Sequence, residues 1–217
     1  EIYTLSLHDA LPIYDCFTVL TVVEQRKNFM DQTAEILEKA ISGSLKIIEQ
    51  DREREIISRR FGLSGQKETL EQIGEMLSIT RERVRQLEKA ILIRLKIAAE
   101  ENQIPELAAA EKILIRNLTE MGRIAKISDL ANKIYHHSAH LDHTKLYFIA
   151  TFSNSLTVIE ENDKYFPSIG IAEYGDGKTI RTKVDEIVYL IKEHKKPLTI
   201  DELDNKLNAV IDRKSVV

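Results

Sequence analysis

Residues 69–97 limit the possible folds of this chain more than any other segment, because they encode two short helices and a tight turn. Thr69 is followed three residues later by Gln72, which is the spacing of a capping box at a helix start. Thr80 stands in the same position before a second helix. The inward side of that helix repeats at intervals of three and four residues: Val84, Leu87, Ile91 and Leu95. This pattern predicts a helix-turn-helix.

Other residues around this segment agree with that prediction. A preceding helix at 51–60 is expected to end at Gly62, because glycine readily adopts the left-handed conformation that stops a helix. Gly74 would allow the close approach of a crossing helix, and Ser78-Ile79 would form the turn. The helix that starts at Thr69 is expected to bury three apolar residues: Leu70, Ile73 and Leu77.

The composition is typical of a mostly α protein, since helix formers dominate, Gly and Pro are few and Trp is absent. We predict a helix-turn-helix domain followed by a winged-helix domain and a truncated second winged helix. The expected divisions are a helical segment at 14–50, the helix-turn-helix at 51–97, the winged helix at 104–178 and the truncated module at 179–211. In the first of these, residues 19–23 fit a strand or a helix turn, and Ser42-Gly43-Ser44 should separate two helices.

An internal repeat suggests the two C-terminal modules. Residues 127–134 align with residues 200–207, and an apolar-periodic helix precedes each copy, at about 106–121 and about 182–194. In the first copy, a third helix at about 142–153 leads to a hairpin with strands at 156–159 and 165–169. Three helices followed by a hairpin predict a winged helix.

Both ends of the chain have a sequence that is foreign to the rest. One reading frame of a widely used short-read sequencing adapter translates to residues 1–13, and the reverse adapter translates to residues 212–217. We therefore expect both ends to be adapter-derived and exclude them from the fold prediction.

The polar face of the helix at 80–96 is strongly basic, although the chain as a whole has a formal net charge of −4. Its cations outnumber its carboxylates, Glu82 and Glu88, by four: Arg81, Arg83, Arg85, Lys89, Arg94 and Lys96. Phosphates attract such a patch by charge and by release of counterions. The alternative is a solvated helix face with internal ion pairs, such as Arg85 with Glu88.

The first turn of this helix has the side chains that distinguish bases in the major groove. Arg can donate two hydrogen bonds to guanine, Gln can pair with adenine, and Glu can accept from cytosine. The expected base contacts are Arg81, Glu82, Arg85 and Gln86, with Lys89 beside them on the same face.

The segments REREII at 52–57, RRFGL at 59–63, TLEQIG at 69–74 and TRERVRQLE at 80–88 resemble region 4 of the sigma-70 family. The resemblance covers about 47 residues, and the turn has Ser78 where family members often have Gly or Asp. It implies a domain that binds the upstream promoter hexamer and docks on the flap of the RNA polymerase β subunit.

The same resemblance assigns further roles. Arg81, Glu82, Arg85 and Gln86 would contact bases and backbone, and Phe61 and Leu63 would pack or face the polymerase. Four positions would be phosphate or scaffold contacts: Arg59, Arg60, Thr69 and Arg83. Promoter DNA and RNA polymerase are therefore the expected partners, in bacterial cytoplasm. Residues 181–203 resemble, more weakly, the winged-helix module of the RNA polymerase δ subunit.

The first winged helix is not expected to bind DNA. Its third helix offers only Lys145 as a cation, and its hairpin region at 156–176 has five carboxylates against Lys164 alone, which would repel phosphate. A structural or protein-contact role is favoured there.

Other kinds of site find little support. Four histidines, His136, His137, His140 and His143, suggest a metal site because positions i, i+4 and i+7 can share a helix face, but Ser138 and Asp142 favour a loop and a helix cap. Cys16 has no partner motif for nucleophilic chemistry. We expect no enzyme activity, no cofactor, no metal and no membrane association.

Two alternatives to promoter recognition remain open at this point. The helix-turn-helix could contact polymerase without selecting bases, or the chain could be a regulator of another class that binds a palindromic site as a dimer.

Overall fold

The computed structural model describes residues 16–135, 139–194, 199–203 and 205, with side chains from residue 31 onward. The two ends predicted to be adapter-derived lie outside these residues. The fold is mostly helical, as predicted, with a small sheet. Its elements are α1 (Cys16–Ile47), α2 (Asp51–Phe61), α3 (Leu70–Leu77), α4 (Arg81–Glu100), α5 (Pro105–Glu120), β1 (Ile124–Lys126), α6 (Ile127–Tyr135), α7 (His140–Phe152), β2 (Leu156–Ile159), β3 (Ser168–Ile171), a 3-10 turn (Ala172–Tyr174) and α8 (Gly177–His194).

Helix α1 is continuous, so the predicted break at Ser42-Gly43-Ser44 was wrong, and residues 19–23 are helical. The Ser44 hydroxyl is buried and donates to the carbonyls of Ala40 and Ile41 at 2.7 and 2.9 Å, which satisfies it within the helix. Gly43 lies against Ile104, since a Cβ there would be 3.3 Å from Ile104 Cγ2. The small residues therefore allow close packing against the start of α5 rather than a loop.

The winged-helix order is present, with one strand that was not predicted. Strands β1, β3 and β2 lie side by side in that order, all antiparallel, with Ile169 of β3 opposite both Ala125 and Val158. Strand β3 begins at Ser168 and not at 165, because the Asn162 side chain accepts the Lys164 and Tyr165 N–H groups at 2.9 Å and holds a turn there. Helix α8 begins at Gly177, about five residues before its predicted start.

A single large apolar core joins the helix-turn-helix to the winged helix. The Phe61 ring of α2 packs edge-on against Phe148 of α7, with 5.0 Å between the ring centroids. Ile91 and Leu95 of α4 are fully buried in the same core. Helix α7 therefore lies inside the molecule, covered by α1, α2 and α4, and not on a surface that could enter a DNA groove. Within the described part of the chain, the model contains no helix with the length and apolar character needed to span a membrane.

Candidate nucleic-acid interface

The three helices that present the basic surface are held by the caps predicted from sequence. Gly62 ends α2 in the left-handed conformation, with φ of 69°. Thr69 and Gln72 form both halves of a capping box, with N–H to side-chain oxygen distances of 2.8 and 3.3 Å. Thr80 Oγ1 accepts from the Arg83 N–H at 3.2 Å. These local bonds fix where each helix starts or stops, and so fix the direction of α4.

The turn between α3 and α4 depends on Gly74. A Cβ at that position would lie 2.8 Å from the carbonyl oxygen of Ile79 and 3.5 Å from the Arg81 nitrogen. The close approach predicted for Gly74 is therefore present, and the turn together with the first residue of α4 makes it. Ser78 closes α3 in the left-handed conformation, with φ of 54°.

A small second core fixes the three helices against each other. Ile56, Ile73 and Val84 are fully buried and belong to α2, α3 and α4 respectively. Four partly buried residues pack around them: Leu70, Leu77, Ile79 and Leu87. With this side of α4 buried, its opposite side is exposed to solvent: Arg81, Glu82, Arg83, Arg85, Gln86 and Lys89.

The side chains expected to contact bases are paired with each other in this unbound state. Arg85 donates through Nε and Nη2 to the two oxygens of Glu82, at 2.8 and 2.7 Å. These bonds lower the pKa of Glu82 and raise the pKa of Arg85. Both side chains are more than half exposed, so the pair is weak and can be exchanged for a base or phosphate. Ion pairs within the helix face, the alternative given by the sequence, do form, but Arg85 pairs with Glu82 and not with Glu88.

Other cations of the basic face differ in their partners. Arg81 forms an ion pair with Glu71 of α3 at 3.0 Å, and Arg94 forms one with Glu53 of α2. Arg83 donates to the Gln86 side-chain oxygen at 3.4 Å. Lys89 and Lys96 form no ion pair with any residue in the described part of the chain. The partners on α2 and α3 had no signal in the sequence, because they lie 10 to 41 residues away in the chain.

Arg59, Arg60 and Thr69 make scaffold contacts. Arg59 bridges Glu68 and Glu55, at 2.7 and 3.0 Å, and the first of these bonds is the main cause of its raised pKa. Arg60 donates to the Glu88 carboxylate, and Thr69 caps α3. The resemblance left phosphate and scaffold roles open for these residues, and their role in DNA contact stays a prediction.

Helix α7, the third helix of the winged helix, has no unpaired lysine to offer to DNA. Lys145 of α7 forms an ion pair with Glu38 of α1. Asp142 accepts the Ala139 N–H at 2.8 Å, so it caps α7 as predicted. The rings of His140 and His143 are 6.2 Å apart, and no cluster of three or more potential metal ligands occurs among the described residues. His136, His137 and Ser138 lie outside them.

Comparison with known proteins gives matches for this region. A family model described as "Sigma-70, region 4" matches residues 50–96. The RNA polymerase sigma factor sigB of Arabidopsis thaliana is 39% identical over 61 residues, which is 28% of this chain and 11% of that protein. The sigma factor SigA4 of Synechococcus elongatus is 39% identical over 57 residues, 26% of this chain and 18% of that protein. The sigma factor SigA of a Nostoc strain is 35% identical over 78 residues, which is 32% of this chain and 20% of that protein. No solved structure gives a significant match.

The similarity concerns a short part of each relative, since the chain spans 11 to 20% of their lengths. The family match ends at residue 96, so the resemblance of residues 181–203 to the δ subunit stays a prediction. The matches support DNA binding in transcription as the role of the matched segment. Residues 50–96 are a sigma-70 region 4 helix-turn-helix.

Proposed function

We propose that the chain recognises the upstream hexamer of a promoter through the first turn of α4 and docks on the β flap of RNA polymerase. The observation that carries this proposal is the exposed, capped first turn of α4 within a region 4 helix-turn-helix. Its cap and its buried Val84 fix the backbone, while the exposed side chains of Arg81, Glu82, Arg85 and Gln86 can exchange their present partners for groups in a groove.

Binding requires an exchange of partners that costs little. The guanidinium of Arg85 must leave Glu82 to donate to guanine O6 and N7, and Glu82 can then accept from a cytosine N4 amino group. An exposed pair of this kind contributes at most about 1 kcal/mol, whereas a bidentate base contact gives about 1–3 kcal/mol of discrimination. Gln86 follows Arg85 directly in α4, is also exposed, and can pair with adenine.

The test is a binding assay of the whole chain on duplexes that contain the upstream hexamer or a scrambled sequence. The double variant Arg85→Ala, Gln86→Ala should lose most of the preference for the hexamer, because each lost contact removes about 1–3 kcal/mol of discrimination. Arg116→Ala is the matched control, since Arg116 is an exposed cation on α5, outside α4. Equal preference in the double variant and the wild type would overturn the proposal.

Polymerase contact without base selection is the second candidate, and exposed apolar side chains favour it. Met76 of α3 and Ile93 and Ile97 of α4 are 41 to 49% exposed, outside the first turn of α4. Such side chains suit a protein partner better than phosphate. This candidate predicts that the whole chain retains the polymerase β flap in a pull-down but shows no preference between hexamer and scrambled duplexes.

A further inference from the structure

Two adjoining recesses run along α4 from Arg85 to Lys96 and continue onto the winged helix. The first has a volume of about 350 Å³ and is bordered by three cations of α4, Arg85, Lys89 and Lys96. The second has a volume of about 380 Å³ and is bordered by Lys96 together with Lys178 and Arg181 of α8. Lys96 and Thr151 border both, so the two recesses form one continuous strip of surface.

The strip is positively charged, because its cations outnumber its carboxylates. Its five cations face two carboxylates, Glu88 and Glu160. Glu88 is already bound by Arg60, through two hydrogen bonds of 3.2 Å. The Glu160 carbonyl accepts from Arg181 Nη2 at 3.4 Å, which holds that guanidinium at the start of the hairpin loop. Lys178 is exposed on the first turn of α8.

The length of α4 places the far end of this strip, from Lys96 onward, outside the groove that the start of the helix would enter. Lys96 lies 11 residues after Arg85, or roughly 16 Å along the helix axis at 1.5 Å per residue. The major groove is only about 12 Å wide. Side chains this far along α4, and the α8 side chains next to them, would therefore meet the sugar-phosphate backbone and not base edges.

We propose that Lys96, Lys178 and Arg181 form a phosphate track that binds the backbone of duplex DNA beside the bases contacted by the first turn of α4. This inference rests on the proposed DNA binding and extends it to the winged helix, which contributes through the start of α8. Helix α7 lines the recesses through Tyr147 and Thr151 but supplies no cation to the track, and Glu160 at the start of the hairpin loop marks the end of the track.

The test measures how the affinity of the whole chain for DNA depends on salt. Two duplexes are used: a short one that ends at the hexamer and a long one with flanking sequence on both sides. Each lost phosphate contact reduces the magnitude of the slope of log affinity against log salt by about 0.9. The double variant Lys178→Gln, Arg181→Gln should therefore reduce that magnitude by about 1.8 on the long duplex. Between 50 and 200 mM salt, the ratio of wild-type to variant affinity should then fall roughly 12-fold. On the short duplex the two proteins should have the same slope.

Lys183→Gln is the matched control, because Lys183 is an exposed cation on the same helix and does not border the recesses. It should leave the slope unchanged. Lys178→Gln alone should reduce the slope by about 0.9, and it avoids the hydrogen bond that Arg181 makes to the hairpin. Glu160→Gln should strengthen binding to the long duplex, since it removes a carboxylate beside the track.

A wild-type slope in the double variant on the long duplex would overturn the phosphate track, even where the hexamer preference depends on Arg85 and Gln86. A reduced slope in a chain that shows no hexamer preference would support the track and overturn base recognition instead. If the wild-type chain binds neither duplex, both proposals fail.

Discussion

The Arg60 side chain of α2 donates through Nε to both oxygens of the Glu88 carboxylate on α4, at 3.2 Å each. A third bond, from Arg60 Nη1 to the Glu68 carbonyl at 3.3 Å, connects the same guanidinium to the loop before α3. The two ionic side chains are 26 and 18% exposed, so solvent screens this pair less than the others on α4. Arg60 therefore braces α4 against α2 at the base of the proposed DNA-binding face.

The first prediction concerns this brace. Glu88→Gln and Arg60→Ala should each destabilise the fold, and a double-mutant cycle should give a coupling free energy of about 1 kcal/mol, because neither residue has another ionic partner of equal geometry. Urea denaturation followed by circular dichroism measures it. The exposed pair Arg116–Glu120 is the comparison, and its coupling should be close to zero. A zero coupling for Arg60 and Glu88 would show that the brace does not act in solution.

The second prediction concerns the turn between α3 and α4. Gly74→Ala should destabilise the chain by about 1–3 kcal/mol, because its Cβ would overlap the Ile79 carbonyl and backbone cannot move aside as a side chain can. Hexamer binding should weaken with it, since the start of α4 is displaced. Gly65→Ala is the control, because a Cβ there meets nothing within 4 Å. Equal melting temperatures for the two variants would contradict the packing seen at Gly74.

The third prediction uses the left-handed conformation of Ser78. Ser78→Gly should stabilise the chain by up to about 1 kcal/mol, because the Cβ that makes a φ of 54° unfavourable is removed. Ser78→Ala keeps the Cβ and should give no gain, which separates backbone strain from loss of the hydroxyl group. Thermal unfolding distinguishes them. A gain in both variants would assign the effect to the hydroxyl.

The fourth prediction is that the helix-turn-helix and the winged helix unfold together. Phe61→Ala should cost about 3–5 kcal/mol, because the ring is buried between α2 and α7. Hydrogen exchange should show that peptides from α4 and from the β2–β3 hairpin lose protection by the same amount. Phe166→Ala is the control, since that ring is 65% exposed. Loss of protection in α4 alone would mean that the two parts unfold independently.

Features decided by neighbouring residues were predictable from the sequence. The helix stop at Gly62 and the caps at Thr69 and Thr80 each depend on residues within four positions, and all three are present. The helical period of Val84, Ile91 and Leu95 likewise identified the buried side of α4 and hence the exposed basic one. These local signals were sufficient to find the helix-turn-helix.

Features decided by distant contacts were not predictable in the same way. Strand β1 has three residues and exists only by pairing with β3, about 45 positions later in the chain. The helix continues through Ser42-Gly43-Ser44 because α5 packs there. On the candidate site, the ion-pair partners of Arg81 and Arg94 come from α3 and α2. Lys178 was assigned to a separate module, yet it lies in the same recess as Lys96.

The burial of α7 has a consequence for the thermodynamics of binding. Two modules on a flexible linker lose orientational entropy when both bind one ligand. The strength of binding by the second module is then limited by its effective concentration near the ligand, which the linker sets. Here Phe61 and Phe148 fix the orientation of α4 relative to the winged helix before any ligand arrives. The start of α8 therefore keeps a constant position relative to the first turn of α4, and under the proposed DNA binding the entropy of aligning them is lost during folding, not during association.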